Sequence, residues 1–292
     1  MFRIKAHPGQ CSTLRAICQL LAFCLVAQPA LADEPSKPLW ELAVGGFGMH
    51  SPAYPGADVS TTNFIALPFP IYRGSFLRLG EEIEKPVRGQ ILQEERLGIT
   101  LDMDFSFGSD AAETPLRAGM PDLDPIVELG PEIEWRLNRN SDERGDWFAA
   151  LQLRGAAVFP DLTPEWRGWV ASPEIRYVRH FGIEGQRLKV RLTPSFASRQ
   201  YMGYYYDVAP RFATVQRPAY EARGGYLGTT LGLSWHRPVT SDLELRIGAR
   251  LSQWGGAKNS ESPLFAERFG TTIYVAFLYS FWQSDRQVAD KN

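Results

Sequence analysis

The chain has 292 residues, 44% of them hydrophobic and 22% charged, with a mean hydropathy of −0.23. Its three cysteines, Cys11, Cys18 and Cys24, all lie near the N-terminus, so residues 33–292 are excluded from disulfide, thiolate and cysteine–metal chemistry. Setting aside Arg3, Lys5 and Arg15 of the same leader, those 260 residues carry 28 basic and 33 acidic groups. That net −5 argues against nucleic acid as a partner.

Residues 1–32 read as a cleaved export signal. A basic start is followed by the apolar run Ala16 to Ala27 and the small-residue site Ala30-Leu31-Ala32. The run is shorter than the ~17–25 residues of a spanning helix, and Phe23 before Cys24 is too bulky for lipoprotein processing. Cleavage before Asp33 leaves a barrel domain over 33–281 and a polar, disordered tail over 282–292.

Strands follow in order. Candidates at 39–49 and 61–72 precede two short ones at 76–81 and 87–92. From Leu97, the residues Leu97, Ile99, Leu101, Met103, Phe105 and Phe107 occupy one face; Thr100, Asp102 and Asp104 occupy the other. Eleven alternating residues exceed the usual strand of about 5–6 and match the ~9–11 that a tilted strand needs to cross a bilayer. The pattern recurs at 127–137, 147–159, 169–181, 187–196, 224–236, 243–252 and 271–281. Period-2 alternation this sustained is foreign to helices. Pro131 and Pro194 each require a bulge or an unpaired position.

After residue 32 no stretch approaches 18 uninterrupted apolar residues, which leaves no candidate transmembrane helix. The expected fold is an all-β, transmembrane, antiparallel up-and-down barrel of about twelve strands when 76–92 is split into two, with ten as the alternative. Short periplasmic turns and long outer loops put 108–125, 160–168, 198–223 and 255–270 outside. Segments 138–146, 182–186 and 237–242 fall inside. Trp40, Trp135, Trp147, Trp169, Trp235 and Trp254 sit near strand ends, as an interfacial girdle requires.

Candidate chemistry is sparse. Ser234 and His236 share a strand face, but the spacing is unspecific and lies at the periplasmic end, so no catalytic residue is assigned. Gly45-Gly46-Phe47-Gly48 lacks the helix a phosphate loop needs, because Pro52 and Pro55 follow. Asp122, Asp124 and Glu128 form an acidic stretch normal for a solvated loop. No metal or cofactor is expected.

Two polar sets stand out. Asp102, Asp104, Glu128, Glu132, Glu134, Arg187, Lys189, Arg191, Arg246 and Arg250 should face the lumen, there either pairing to close it or lining a polar channel. In the longest loop Tyr201, Tyr204, Tyr205, Tyr206, Arg211 and Phe212 make a candidate recognition surface, given the enrichment of tyrosine and arginine at interfaces. The alternative is an aromatic rim folded partly into the barrel mouth.

Several segments carry a family resemblance: Gly45 to Gly48; Pro52, Tyr54 and Gly56; Leu67-Pro68-Phe69-Pro70; and Met120 to Pro125 with Glu128-Leu129-Gly130-Pro131. Further on come Tyr204-Tyr205 with Val208, Pro218-Ala219-Tyr220 with Ala222, Gly224 and Gly225, Ser262-Pro263-Leu264, and Tyr279 with Phe281. In order and spacing these resemble the MltA-interacting protein family, also called MipA/OmpV. The resemblance implies a non-enzymatic outer-membrane protein of a Gram-negative bacterium. It also implies a scaffold that joins a periplasmic murein hydrolase (a lytic transglycosylase) to a synthase (a penicillin-binding protein), with membrane lipid around the barrel. Other members are surface antigens, adhesins or factors in antibiotic uptake, so a small-solute pore or adhesin is the competing expectation.

Overall fold

The computed structural model describes residues 36–82, 85–138, 145–160, 163–182 and 185–289, and the signal segment 1–32 lies outside them. Between β1 (Ser36–Pro38) and β14 (Gln287–Ala289) run the twelve strands of one closed antiparallel barrel. These are β2 (Trp40–Pro52), β3 (Ser60–Arg73), β4 (Leu77–Glu82), β5 (Lys85–Gln93), β6 (Leu97–Ser106) and β7 (Ile126–Arg136). The second half comprises β8 (Asp146–Val158), β9 (Glu165–His180), β10 (Arg187–Ala197), β11 (Gly225–Pro238), β12 (Leu243–Gln253) and β13 (Phe269–Gln283). Each pairs with its chain neighbour, and β13 closes on β2 from Ile273↔His50 to Gln283↔Glu41. The short segment 76–92 does split into two strands, which gives the even number.

The alternation becomes two surfaces. Leu129, Leu151, Leu153, Leu192, Leu231, Leu233, Leu251 and Val275 are exposed on the outside, whereas Asp102, Glu128, Glu132, Arg154 and Arg176 are buried. A soluble sheet would reverse this. Apolar outside and polar within is the transmembrane arrangement. Trp40, Trp135, Trp147 and Trp282 lie exposed at the end that holds both termini, with the Trp40 and Trp282 ring centroids 4.1 Å apart. Trp254 departs from the expected girdle: it is 7% exposed and packed where Cβ atoms on Gly228 and Gly270 would collide with it.

Both awkward prolines are absorbed by gaps in one ladder rather than by bulges. The β7–β8 register runs to Leu129↔Gly155 and resumes at Glu132↔Gln152, skipping Pro131. The β9–β10 register skips Pro194 between Leu192↔Ile175 and Phe196↔Ala171. β9 begins at Glu165, inside the segment expected as loop 160–168. A bulge at Ala156/Ala157, with Gly168 at φ 95°, carries the pairing on to Val158↔Glu165.

The tail corrects the sequence reading. Residues 287–289 are not disordered but pair with 36–38, from Ser36↔Ala289 to Pro38↔Gln287. Leu39 N donates to Arg286 O at 2.7 Å and Trp40 N to Ser284 Oγ at 3.3 Å. The small sheet spans the termini end, since Lys37 lies within electrostatic reach of Glu244 on β12 while Val288 lines a cavity with Arg73 and Arg78.

Candidate functional site

Four loops meet at the end away from the termini: 53–59, 107–125, 198–224 and 254–268. The third contains a helix, α1 (Arg199–Tyr206), that the sequence did not reveal. Its Ser198 cap accepts from Tyr201 N at 3.4 Å and from Trp169 N on β9 at 3.0 Å, anchoring the helix to the barrel rim. With Gly203 inside it and only eight residues, the segment is too short for the i,i+4 spacing of Tyr201, Met202, Tyr205 and Tyr206 to stand out in sequence.

From α1, Tyr201, Met202, Tyr205 and Tyr206 are buried with Tyr54, Leu123, Ile126, Val158, Val170 and Leu227 in one apolar cluster. Polar stitches cross it. Tyr54 OH donates to Leu264 O and Tyr206 OH to Pro55 O, both at 2.7 Å; Ser262 Oγ donates to Tyr206 O at 2.9 Å. Buried Arg117 donates to Tyr205 O and Pro121 O at 3.1 Å, with its guanidinium 5.8 Å from the Tyr54 ring centre. Fully buried Asn259 accepts from Arg223 N and donates to Arg223 O. Arg217 clamps the turn at Leu116 O and Ala118 O, 2.9 and 3.0 Å away. Tyr54, Leu264, Ala222 and Tyr220, which carried the family resemblance, are stitch residues here.

Burial sets the electrostatics of this plug. It pushes the Tyr54 and Tyr204 hydroxyls up to about 12 and raises those of Tyr201, Tyr205 and Tyr206 well above the ordinary tyrosine value. The same desolvation lowers Arg117. Of the candidate recognition residues, then, Tyr201, Tyr205 and Tyr206 are inside the plug and present nothing to solution, whereas Tyr204 and Phe212 are half-buried and Arg211 is exposed.

Beneath the plug runs a charged ladder on β7, β8 and β9. Tyr201 OH donates to Glu128 Oε1 at 2.8 Å, and Arg154 Nε donates to Glu128 Oε2 at 2.9 Å. Arg154 also donates to Gln152 Oε1, and Gln152 Nε2 donates to Glu132 Oε2 at 2.9 Å. Arg176 then lies 3.0 Å from Glu132, 2.7 Å from Glu134 and 2.9 Å from Glu174. The sequence named Glu128, Glu132 and Glu134 but missed Arg154, Arg176 and Glu174. Their strands alternate weakly, and the pairing depends on which strands adjoin.

The other lumen candidates divide by depth. Asp102, Asp104, Arg191 and Arg250 line a mid-barrel cavity of about 220 Å³. Glu134, Arg187 and Lys189 line a vestibule of about 540 Å³ at the termini end, with Arg78, Arg96, Arg136 and Arg176 opposite Glu94, Glu95 and Asp146. Arg246 is buried beside Glu244 at 3.9 Å, which also lies 3.0 Å from His236 Nε2. No hydrogen bond joins His236 to Ser234 among the described residues. Nor do Asp122, Asp124 and Glu128 converge: Asp122 accepts from Ala111 N, Asp124 O from Tyr204, and Glu128 is held by Arg154. No metal-holding group of three or more His, Cys, Asp or Glu occurs among the described residues.

The family model for MltA-interacting protein MipA matches residues 44–281. This chain belongs to that family. It matches no curated protein sequence. Among solved structures, a NanC porin is 8% identical, with a TM-score of 0.37, over 82% of this chain and 98% of its own. The COG4313 outer membrane channel from Pseudomonas putida F1 is 12% identical, with a TM-score of 0.37, over 87% and 100%. The P. putida toluene transporter TodX is 8% identical, with a TM-score of 0.33, over 84% and 91%.

Proposed function

We propose that this MipA-family barrel sits in the outer membrane of a Gram-negative bacterium with its termini in the periplasm. There it serves as a non-catalytic docking platform for a murein hydrolase of the MltA type and a murein synthase. One observation carries the reading: the loop mouth is closed by a buried tyrosine cluster, while the termini end is open, charged and carries an extra sheet. A solute pore would need both ends clear. The short turns 239–242 and 74–76 offer little surface for a partner, but the β1–β14 sheet and the vestibule lined by charges of both signs supply one. The family description supports the identity of the partner.

Affinity capture from solubilised envelopes tests this directly. The intact chain should recover the hydrolase, and a chain lacking 286–292 should recover much less. Equal recovery by both chains would remove the sheet from the interface, and failure of the intact chain to recover any murein enzyme would end the platform reading.

A further inference from the structure

The barrel wall is interrupted on one side. β3 is fourteen residues long, yet its register with β4 consists of Tyr72↔Leu79 and Arg73↔Arg78. Gly80, at φ 76°, then breaks that register while β4 still lies against β3, where a Cβ would lie 2.6 Å from the Phe69 ring and 3.0 Å from Pro70 O. Across the gap, β5 pairs with β6 only over Gly98 to Asp102. Among the described residues, the β3 edge from Ser60 to Ile71 therefore has no ladder on the β4 side. Among the described residues, a window opens between β3 and β6, beyond Glu82 and Lys85.

The edge is built to stay unpaired. Pro68 and Pro70 bring no N–H to it, and proline within a sheet is confined to such edges. Open edges facing hydrocarbon are otherwise avoided, because lipid satisfies no backbone group. The window is apolar on both faces. The register aligns Ile65 with Phe47 and Leu67 with Gly45, facing inward with Ala276 and Leu278. Even so, Ile65 and Leu67 are 40% and 53% exposed, and outward Phe64 is 68% exposed. Deeper in, Phe47 lies 6.0 Å from the Tyr274 ring, over which the Arg250 guanidinium sits at 5.3 Å. Arg250 reaches the 220 Å³ cavity and has no carboxylate partner among the described residues, whereas Asp102 and Asp104 there are within the field of Arg154.

We propose that the window admits, from the bilayer, a single-chain amphiphile with an anionic head. Its chain lies along Ile65, Leu67 and Phe47, and its head rests on Arg250. Hydrocarbon is the medium the window faces, and a cation with no carboxylate partner among the described residues, at the end of an apolar path, selects an anionic head. This site is independent of the docking platform.

Binding of labelled hexadecanoate, and of its methyl ester, to the full chain in lipid nanodiscs tests the assignment, with empty nanodiscs as the partition control. The wild type should bind hexadecanoate saturably. Arg250→Gln should weaken hexadecanoate about tenfold, the worth of a charge-assisted hydrogen bond, and leave the ester unchanged. Leu67→Glu should weaken both ligands, with Leu67→Gln as a second variant and heat-modifiable gel mobility reporting the fold. Binding by the folded wild type no greater than empty discs would overturn the proposal. Saturable binding that either Arg250→Gln or both folded Leu67 variants leave intact would also overturn it.

Discussion

The Tyr201 hydroxyl donates to Glu128 at 2.8 Å, so one buried carboxylate is shared by the plug helix and the Arg154 ladder on the barrel wall. Closure of the mouth is thereby coupled to the lumen's ion pairs. Tyr201→Phe should cost about 1–3 kcal/mol, because Glu128 keeps Arg154 but loses a donor. Hydrogen exchange checks the location: amides of 199–206 should lose protection while those of β7 and β8 keep theirs.

With its mouth stitched, the intact protein should show little or no conductance in planar bilayers. Deleting 203–216 removes Tyr204 to Tyr206 and should open the lumen to ions. A large, stable conductance from the intact chain would favour the pore reading over the platform.

Arg176 lies within ion-pair distance of Glu132, Glu134 and Glu174 together. Arg176→Met removes the cation that three carboxylates share and should cost about 3–5 kcal/mol in denaturant unfolding from detergent. Adding Glu134→Gln should restore part of that loss. A loss under 1 kcal/mol (roughly the value of an exposed pair) would mean the ladder is hydrated and weak.

Side-chain direction is testable at two positions on opposite faces of β6. Leu101 points out to lipid, and arginine there should cost about 2–4 kcal/mol near the midplane. Asp104 faces the lumen with its side chain 44% exposed, 3.8 Å from Arg154, so Asp104→Asn should cost under about 1 kcal/mol. Equal losses would contradict the register.

Alkali should release the plug. Burial raises Tyr54 and Tyr204 from the ordinary 10.0 to about 12, so the folded state holds them neutral while the open state ionises them near 10. Their contribution is complete below pH 10 and is lost as pH rises through 12. Absorbance titration should show a delayed class of tyrosines, with conductance appearing over the same interval. Titration of every tyrosine near 10 would place the cluster in water.

The strands were legible because lipid outside and a polar lumen within impose a period of two on every segment, and that pattern is local. Leu97 to Phe107, Leu188 to Phe196 and Leu243 to Leu251 each declare their faces without reference to the rest of the chain. Loop lengths likewise gave strand parity, since hairpins are local connections. Family motifs could be recognised, but their physical roles could not: Tyr54 and Leu264 meet across 210 residues to form one stitch.

Tertiary structure decided what depends on distant partners. Arg154 and Arg176 became the ladder's cations only once β7, β8 and β9 adjoined, and α1 gained its stability from a barrel rim that its own residues do not encode. The tail formed a strand because barrel closure brings residue 287 beside residue 38. The window at β3 exists because the β3–β4 register ends after two paired residues. Alternation gives the faces of a strand, but which edge stays unpaired depends on how far its neighbour runs.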